Sequence, residues 1–158
     1  MNLLHRLVCR SAPWGWTVGR WVIPWALDGL DPGEDVLELG PGPGLSTDVL
    51  RERTARLTVV EIDPRLASSL QERMKSTNVE VVEADAAAMP FPDGSFSAVL
   101  SFTMVHHVLS ATVQDRLLAE AWRVLRPAQS LTFANSIVTY IQYEYYFGTQ
   151  HETSEEVR

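Results

Sequence analysis

The chain has 158 residues, 46% of them hydrophobic and 21% charged, with a formal net charge of −7. This is enough chain for one domain with a three-layer core, it is too apolar for global disorder, and its acidic balance argues against a nucleic-acid groove. A single cysteine, Cys9, excludes an internal disulfide and a cysteine metal cluster, and no run nears the roughly 18 apolar residues of a membrane span, so a cytoplasmic protein is expected.

Residues 1–34 hold four of the five tryptophans, Trp14, Trp16, Trp21 and Trp25. Leu3, Leu4, Leu7 and Val8 sit at helical spacing and Pro13 closes that segment. Arg6 and Arg10 precede no sustained apolar run, so no signal peptide is expected. A second short helix is predicted over 18–30, ended or kinked at Pro24. The preferred reading is an N-terminal helical layer packed on a sheet, ahead of a lid over a ligand site or a membrane-surface anchor. Asp31-Pro32-Gly33 then turns the chain into the first strand.

Val36, Leu37 and Leu39 make a short apolar run of the kind buried on both faces of a sheet. Directly after it, Gly40, Gly42 and Gly44 alternate with Pro41 and Pro43. Glycines let a ligand approach the main chain, while the prolines fix φ and stiffen the bend. Ser46 and Thr47 are expected to cap a helix over 46–53. Strand, glycine bend and helix together form a site for a nucleoside- or phosphate-bearing ligand. A dinucleotide fingerprint would need glycine where Leu45 stands, which disfavours a nicotinamide-linked oxidoreductase, and no lysine is present to complete a P-loop.

The second strand is read from Thr58, Val59, Val60 and Ile62, with Glu61 near its end, and Asp63-Pro64 opens a helix to about position 76 with Leu66, Ala67, Leu70 and Met74 inward. A third strand over 79–84 ends at Asp85, and residues 90–94 form a stiff turn. The fourth strand is Phe96 to Phe102. Thr112 with Asp115 reads as a capping box, and Val113, Leu117, Ala121 and Leu125 line the helix it would start, which Pro127 stops. Leu131 to Ala134 is the fifth strand. About five strand–helix alternations predict an α/β, Rossmann-like, doubly wound and mostly parallel sheet with helices on both faces. Gly40, Glu61, Asp85 and Ser101 fall at or just past strand C-termini and should meet on one rim, with Glu61 placed 21 positions after Gly40 to reach a ribose.

The run Glu38-Leu39-Gly40-Pro41-Gly42-Pro43-Gly44 resembles the first motif of class I S-adenosylmethionine-dependent methyltransferases. Val60 to Asp63, Glu83 to Ala86, Met89 to Phe96, and Glu120 through Pro127 follow in that family's order and spacing. Over about 34–127 the chain resembles the small-molecule, ubiquinone-biosynthesis-like branch. The resemblance implies S-adenosylmethionine as cofactor and a small-molecule acceptor, while the acidic charge and the lack of a long apolar run lead to the expectation of no nucleic-acid partner and no stable membrane insertion. It implies that the glycine bend meets the methionine part, and that Glu38 helps hold the bend and the methionine ammonium. It further implies Glu61 on the ribose, Ile62 on the adenine, and Asp85 with Ala86 at its amino edge. His106 and His107, after the fourth strand, are the candidate bases, since imidazole titrates near working pH, and pocket lining is the alternative role. No metal site is expected. Ser101-Phe102-Thr103-Met104 departs from the Asn-Pro-Pro-aromatic stretch of amino-methylating DNA enzymes.

One domain is therefore expected, with an N-terminal helical layer over 1–34, a cofactor-binding core over 35–135 and an atypical C-terminal segment over 136–158. After Pro127 the family's paired glycines are replaced by Ala128-Gln129, and residues 137–147 favour one added strand. The C-terminal strands are accordingly expected to be incomplete, which would leave a sheet edge open to self-association. A non-catalytic binding or interaction protein that retains the fold is the alternative function.

Overall fold

The computed structural model of the protein describes residues 16–28, 31–102, 104–134 and 140–142. The helix expected before Pro13 and the polar tail after 142 lie outside these residues, as does most of the aromatic stretch 137–147. A π-helical turn, Val18–Val22, runs into α1, Ile23–Ala26, so the helix type changes one residue before Pro24, whose missing N–H breaks the ordinary ladder. The remaining helices are α2 (Leu45–Leu50), α3 (Pro64–Arg73) and α4 (Ala111–Val124).

Five strands run parallel: β1 (Asp35–Leu39), β2 (Arg56–Glu61), β3 (Val79–Glu83), β4 (Phe96–Phe102) and β5 (Leu125–Ala134). A sixth, β6 (Tyr140–Gln142), pairs antiparallel with β5. The spatial order is β3-β2-β1-β4-β5-β6. The chain thus winds outward from β1 to β3 and then crosses to β4. That crossing is the switch point beyond whose strand ends ligands settle in open α/β sheets.

Strand alternation divides the core in two. Val36, Leu57, Val59, Ala98, Leu100 and Phe102 face one layer, where Ile23 and Ala26 of α1, Leu50 of α2 and Leu70 of α3 cover them. Leu37, Leu39, Val60 and Val99 face the other, covered by Leu117, Ala121 and Val124 of α4. Neighbouring Val36 and Leu37 are both fully buried, which requires helices on both faces.

Several expected boundaries move for physical reasons. Asp63 caps α3 by accepting from the N–H groups of Arg65 and Leu66, but the helix ends at Arg73 rather than near 76, because Ser76 turns to a φ of 66°. The capping box at Thr112 does not form. Ser110 holds the N-cap position, and its carbonyl already accepts from Val113 and Gln114, so Thr112 lies inside the helix. The helix also stops before Pro127, at Val124. Leu125 begins β5, and Pro127 falls in the irregular stretch between the Phe96–Leu125 and Ala98–Ser130 pairs, where its missing donor costs no ladder bond.

Candidate functional site

The bend after β1 is fastened to its neighbours before any ligand is considered. Gly40 donates to the Val60 carbonyl (2.8 Å), continuing the β1–β2 ladder, and Gly44 donates back to Pro41 (2.9 Å), closing a tight turn. Between them, the Gly42 N–H donates to Glu61 Oε2 at 3.0 Å. The other oxygen, Oε1, accepts from the Asp63 N–H, also at 3.0 Å. Glu61 is only 6% exposed, so these bonds fix its carboxylate at the end of β2 while each oxygen keeps further acceptor capacity.

Two glycines in the bend are needed for different reasons. Gly42 has φ +55°, and a Cβ built on it would meet no atom within 4 Å, so its missing side chain leaves open space. At Gly44, φ is +80° and a Cβ would lie 2.4 Å from Arg73 Nη2 and 2.5 Å from Leu70 Cδ1. That glycine is seated against α3. Arg73 donates through Nη2 to the carbonyls of Pro43 (2.8 Å) and Gly44 (3.2 Å) and through Nη1 to Asp48 (2.6 Å). One guanidinium thereby ties the bend, α2 and α3 together.

Ser46 and Thr47 do not cap α2. The N-cap is Gly44, with no side-chain cap bond, and both hydroxyls lie inside the helix and donate to Glu38. Thr47 Oγ1 is 2.6 Å from Glu38 Oε2, and Ser46 donates to Oε1. Glu38 is 1% exposed, on the sheet face that carries Val36, so its buried oxygens draw both hydroxyls away from the helix end. Burial pushes its carboxyl up to about 7, against the opposing pull of the two hydroxyl bonds, and the nearby charges of Asp48 and Glu61 add to the rise.

A cavity of about 480 Å³ opens where the bend, the ends of β2 and β4 and the start of α4 meet, within the range of small-molecule sites. Its lining includes Gly40, Gly42, Glu61, Ile62, Asp85, Ala86 and His107. Ile62 lies just past β2, not within it, and is 65% exposed there. Asp85 accepts from the Ala87 N–H (2.8 Å), which turns the chain after β3. Glu38, Gly44 and Ser101 are not in the lining. Ser101 is buried within β4 and donates to the Leu39 carbonyl at 3.4 Å. The side chain of His106 lies outside the described residues, while His107 closes a 3-10 turn, Val105–His107, after β4.

The rest of the wall was not singled out from the sequence. Val22 comes from the N-terminal helix, Phe102 from the end of β4, Met104 from just before the 3-10 turn, and Val113 and Leu117 from α4. Helical periodicity marks Val113 and Leu117 as inward, but cannot distinguish a protein neighbour from a cavity. Beside the wall, Arg123 donates to the carbonyls of Met89 (3.1 Å) and Phe91 (2.7 Å), and Glu120 accepts from the Met89 N–H (2.8 Å), so α4 holds the 89–94 turn in place. Among the described residues, no group of three or more His, Cys, Asp or Glu is placed to hold a metal ion, and no helix is long and apolar enough to cross a membrane.

Residues 37–133 match the family model of a methyltransferase domain. A probable ribosomal RNA small subunit methyltransferase A of Thermococcus onnurineus is 34% identical over 107 residues, 67% of this chain and 38% of that protein. A demethylmenaquinone methyltransferase of Tropheryma whipplei is 33% identical over 103 residues, 65% of this chain and 42% of that protein. The chain therefore spans about two fifths of the length of these relatives, and their names differ in the acceptor. In fold, the PH0226 protein of Pyrococcus horikoshii superposes with a TM-score of 0.74 at 21% identity, over 84% of this chain and 65% of that one.

Proposed function

This chain belongs to the methyltransferase domain family, and from that premise we propose that it binds S-adenosylmethionine and directs its methyl group to a small, largely apolar acceptor. The observation that carries the proposal is the open space over Gly42, beside a carboxylate held at the end of the next strand. A cradle of main chain with an acid one strand away suits a sulfonium nucleoside, and the residues present fit that group. In this reading the Gly40–Gly42 backbone runs along the methionine part. Glu61 accepts from the ribose hydroxyls with the lone pairs its two backbone donors leave. Ile62 packs on the adenine, and Asp85 with Ala86 meets its amino edge. Glu38 acts from below, through Ser46 and Thr47, as a positioning residue.

When bound, S-adenosylmethionine supplies a methyl already activated on sulfur, so the protein's task is to place the acceptor and exclude water. The acceptor side of the wall is apolar: Val22, Phe102, Met104, Val108, Val113 and Leu117. Among the described residues the lining carries two acids, Glu61 and Asp85, and no lysine or arginine. This supports a small apolar acceptor over RNA, whose phosphates call for basic side chains. His107, an imidazole in the lining, would take the proton of an acceptor whose nucleophile must lose one.

Isothermal titration with S-adenosylhomocysteine and with NAD tests the cofactor. Binding of the first only, weakened roughly tenfold or more by Glu61→Ala, is expected, since hydrogen bonds to a charged group are lost. Binding of neither would leave the fold as an interaction module, and preference for NAD would refute the reading.

A further inference from the structure

We propose that the outer face of the 16–26 helical segment docks this protein on an anionic lipid surface, as a peripheral contact that does not span the bilayer. The segment has two sides. Ile23 and Ala26 are fully buried in the core, and Gly19 lies so close to α2 that a Cβ there would be 3.1 Å from Val49. Along the opposite side Trp16, Trp21 and Trp25 are 63%, 60% and 52% exposed. Three tryptophans standing more than half in water on one short segment exceed the scattered single apolar residues of an ordinary surface. Arg20 lies among them, its guanidinium 5.4 Å from the centre of the Trp21 ring. Tryptophan paired with arginine is the chemistry of a headgroup layer, where the ring settles at the apolar boundary and the cation meets phosphate.

Charge selects the occupant. Residues 1–27 contain Arg6, Arg10 and Arg20 and no Asp or Glu, whereas the remaining 131 residues hold all 20 acids against ten Lys and Arg. Within the described stretch 16–27, Arg20 stands beside the exposed tryptophans with no acid among them, so an anionic surface attracts this face while the net negative charge of the residues from 28 onward is repelled. A purely hydrophobic contact would not need that separation, and RNA would be opposed by the acidic bulk of the protein. The same segment carries Val22 in the cavity wall, so the docked face and the ligand site share one element. The proposal stands independently of what the cavity binds.

The test is flotation of the full chain with vesicles of pure phosphatidylcholine and of equal parts phosphatidylcholine and phosphatidylglycerol. Binding to the anionic vesicles only, reduced by added salt and accompanied by a blue shift of tryptophan emission, is expected. The double variant Trp16→Ala, Trp21→Ala should lose roughly tenfold or more of the partition, because two rings no longer leave water. Its melting temperature should stay near that of the parent, since both side chains are mostly exposed. Arg20→Glu provides a second variant that leaves both rings in place and should also detach the protein. Equal partition of the double variant and the parent, or no preference for the anionic vesicles, would overturn the proposal. Concentration-dependent self-association that the double variant abolishes would assign the face to a second copy of the chain and overturn it equally.

Discussion

Replacing Glu38 with glutamine should make the protein more resistant to alkaline destabilisation, although it removes an acid from beneath the site. In the folded chain the Glu38 carboxyl is raised from 4.5 to about 7, chiefly by burial. At about 1.4 kcal/mol per tenfold change in proton affinity, ionising it in the fold costs about 3 kcal/mol more than in the unfolded chain. The sign follows from the raised value. Below about 4.5 both states carry the proton and the contribution is intact, and it is lost as pH rises through about 7. Glutamine is neutral throughout, nearly the same shape, and can accept from one of the two hydroxyls while donating to the other. Unfolding by urea, measured in parallel for Glu38→Gln and the parent between about pH 5 and about pH 8, should give a stability difference that moves in favour of the variant by up to about 3 kcal/mol. Any constant cost of rearranging the hydroxyls cancels in that comparison. Two curves that stay parallel over the range would refute the reasoning, because they would mean that Glu38 is already ionised, at no cost, at the low end.

Gly42→Val should abolish S-adenosylhomocysteine binding in titration calorimetry, since its side chain enters the open space and its φ of +55° strains a β-branched residue by roughly 1–3 kcal/mol. Gly42→Asn separates the two effects, because asparagine tolerates that φ: lost binding with a nearly unchanged melting temperature is expected, and retained affinity would place the ligand elsewhere. Arg73→Met keeps the stem over Gly44 but drops the bonds to Pro43, Gly44 and Asp48. With Arg73 partly exposed, a stability loss of about 1 kcal/mol and roughly tenfold weaker S-adenosylhomocysteine binding are expected, read by thermal melting and calorimetry. An affinity equal to that of the parent would show that the bend holds its shape without the clamp.

What could be read from the sequence was what lies close along the chain. The glycine–proline alternation and the acid 21 positions after Gly40 are short-range patterns, and the doubly wound, mostly parallel sheet follows from the strand–helix alternation and the general rules of right-handed crossovers. The partnership of Glu38 with Ser46 and Thr47 was obscured because hydroxyls near a helix start ordinarily cap it. The overlooked signal was the acid itself: Glu38 sits inside a run destined for burial on both faces, where a carboxylate must find donors. Arg73 gave no such sign, being one more basic residue at the end of an amphipathic helix. Its target carbonyls at 43 and 44 are about thirty positions away. Pro127 misled for a related reason: proline forbids a helix and a regular strand alike, so only the pairing of β4 with β5 could reveal the irregularity that takes it in.

The bend is gripped from three sides, and none of the grips takes up its open face. Glu61 holds the Gly42 N–H, Arg73 holds the carbonyls of Pro43 and Gly44, and Glu38 holds the first turn of the helix that follows. Two prolines remove most of the remaining freedom. A loop ordered in advance loses little conformational entropy when a ligand arrives, so binding energy is not consumed in shaping it. The grips also divide the labour between two buried acids. Glu61 is part of the cavity wall, whereas Glu38 lies outside that wall and accepts from Ser46 and Thr47. Loss of Glu61 should therefore change which ligand is bound as well as how tightly. Loss of the Glu38 side chain in Glu38→Ala, or of the Arg73 clamp, should weaken every ligand of the cavity in similar proportion, because it loosens the frame without altering what it presents.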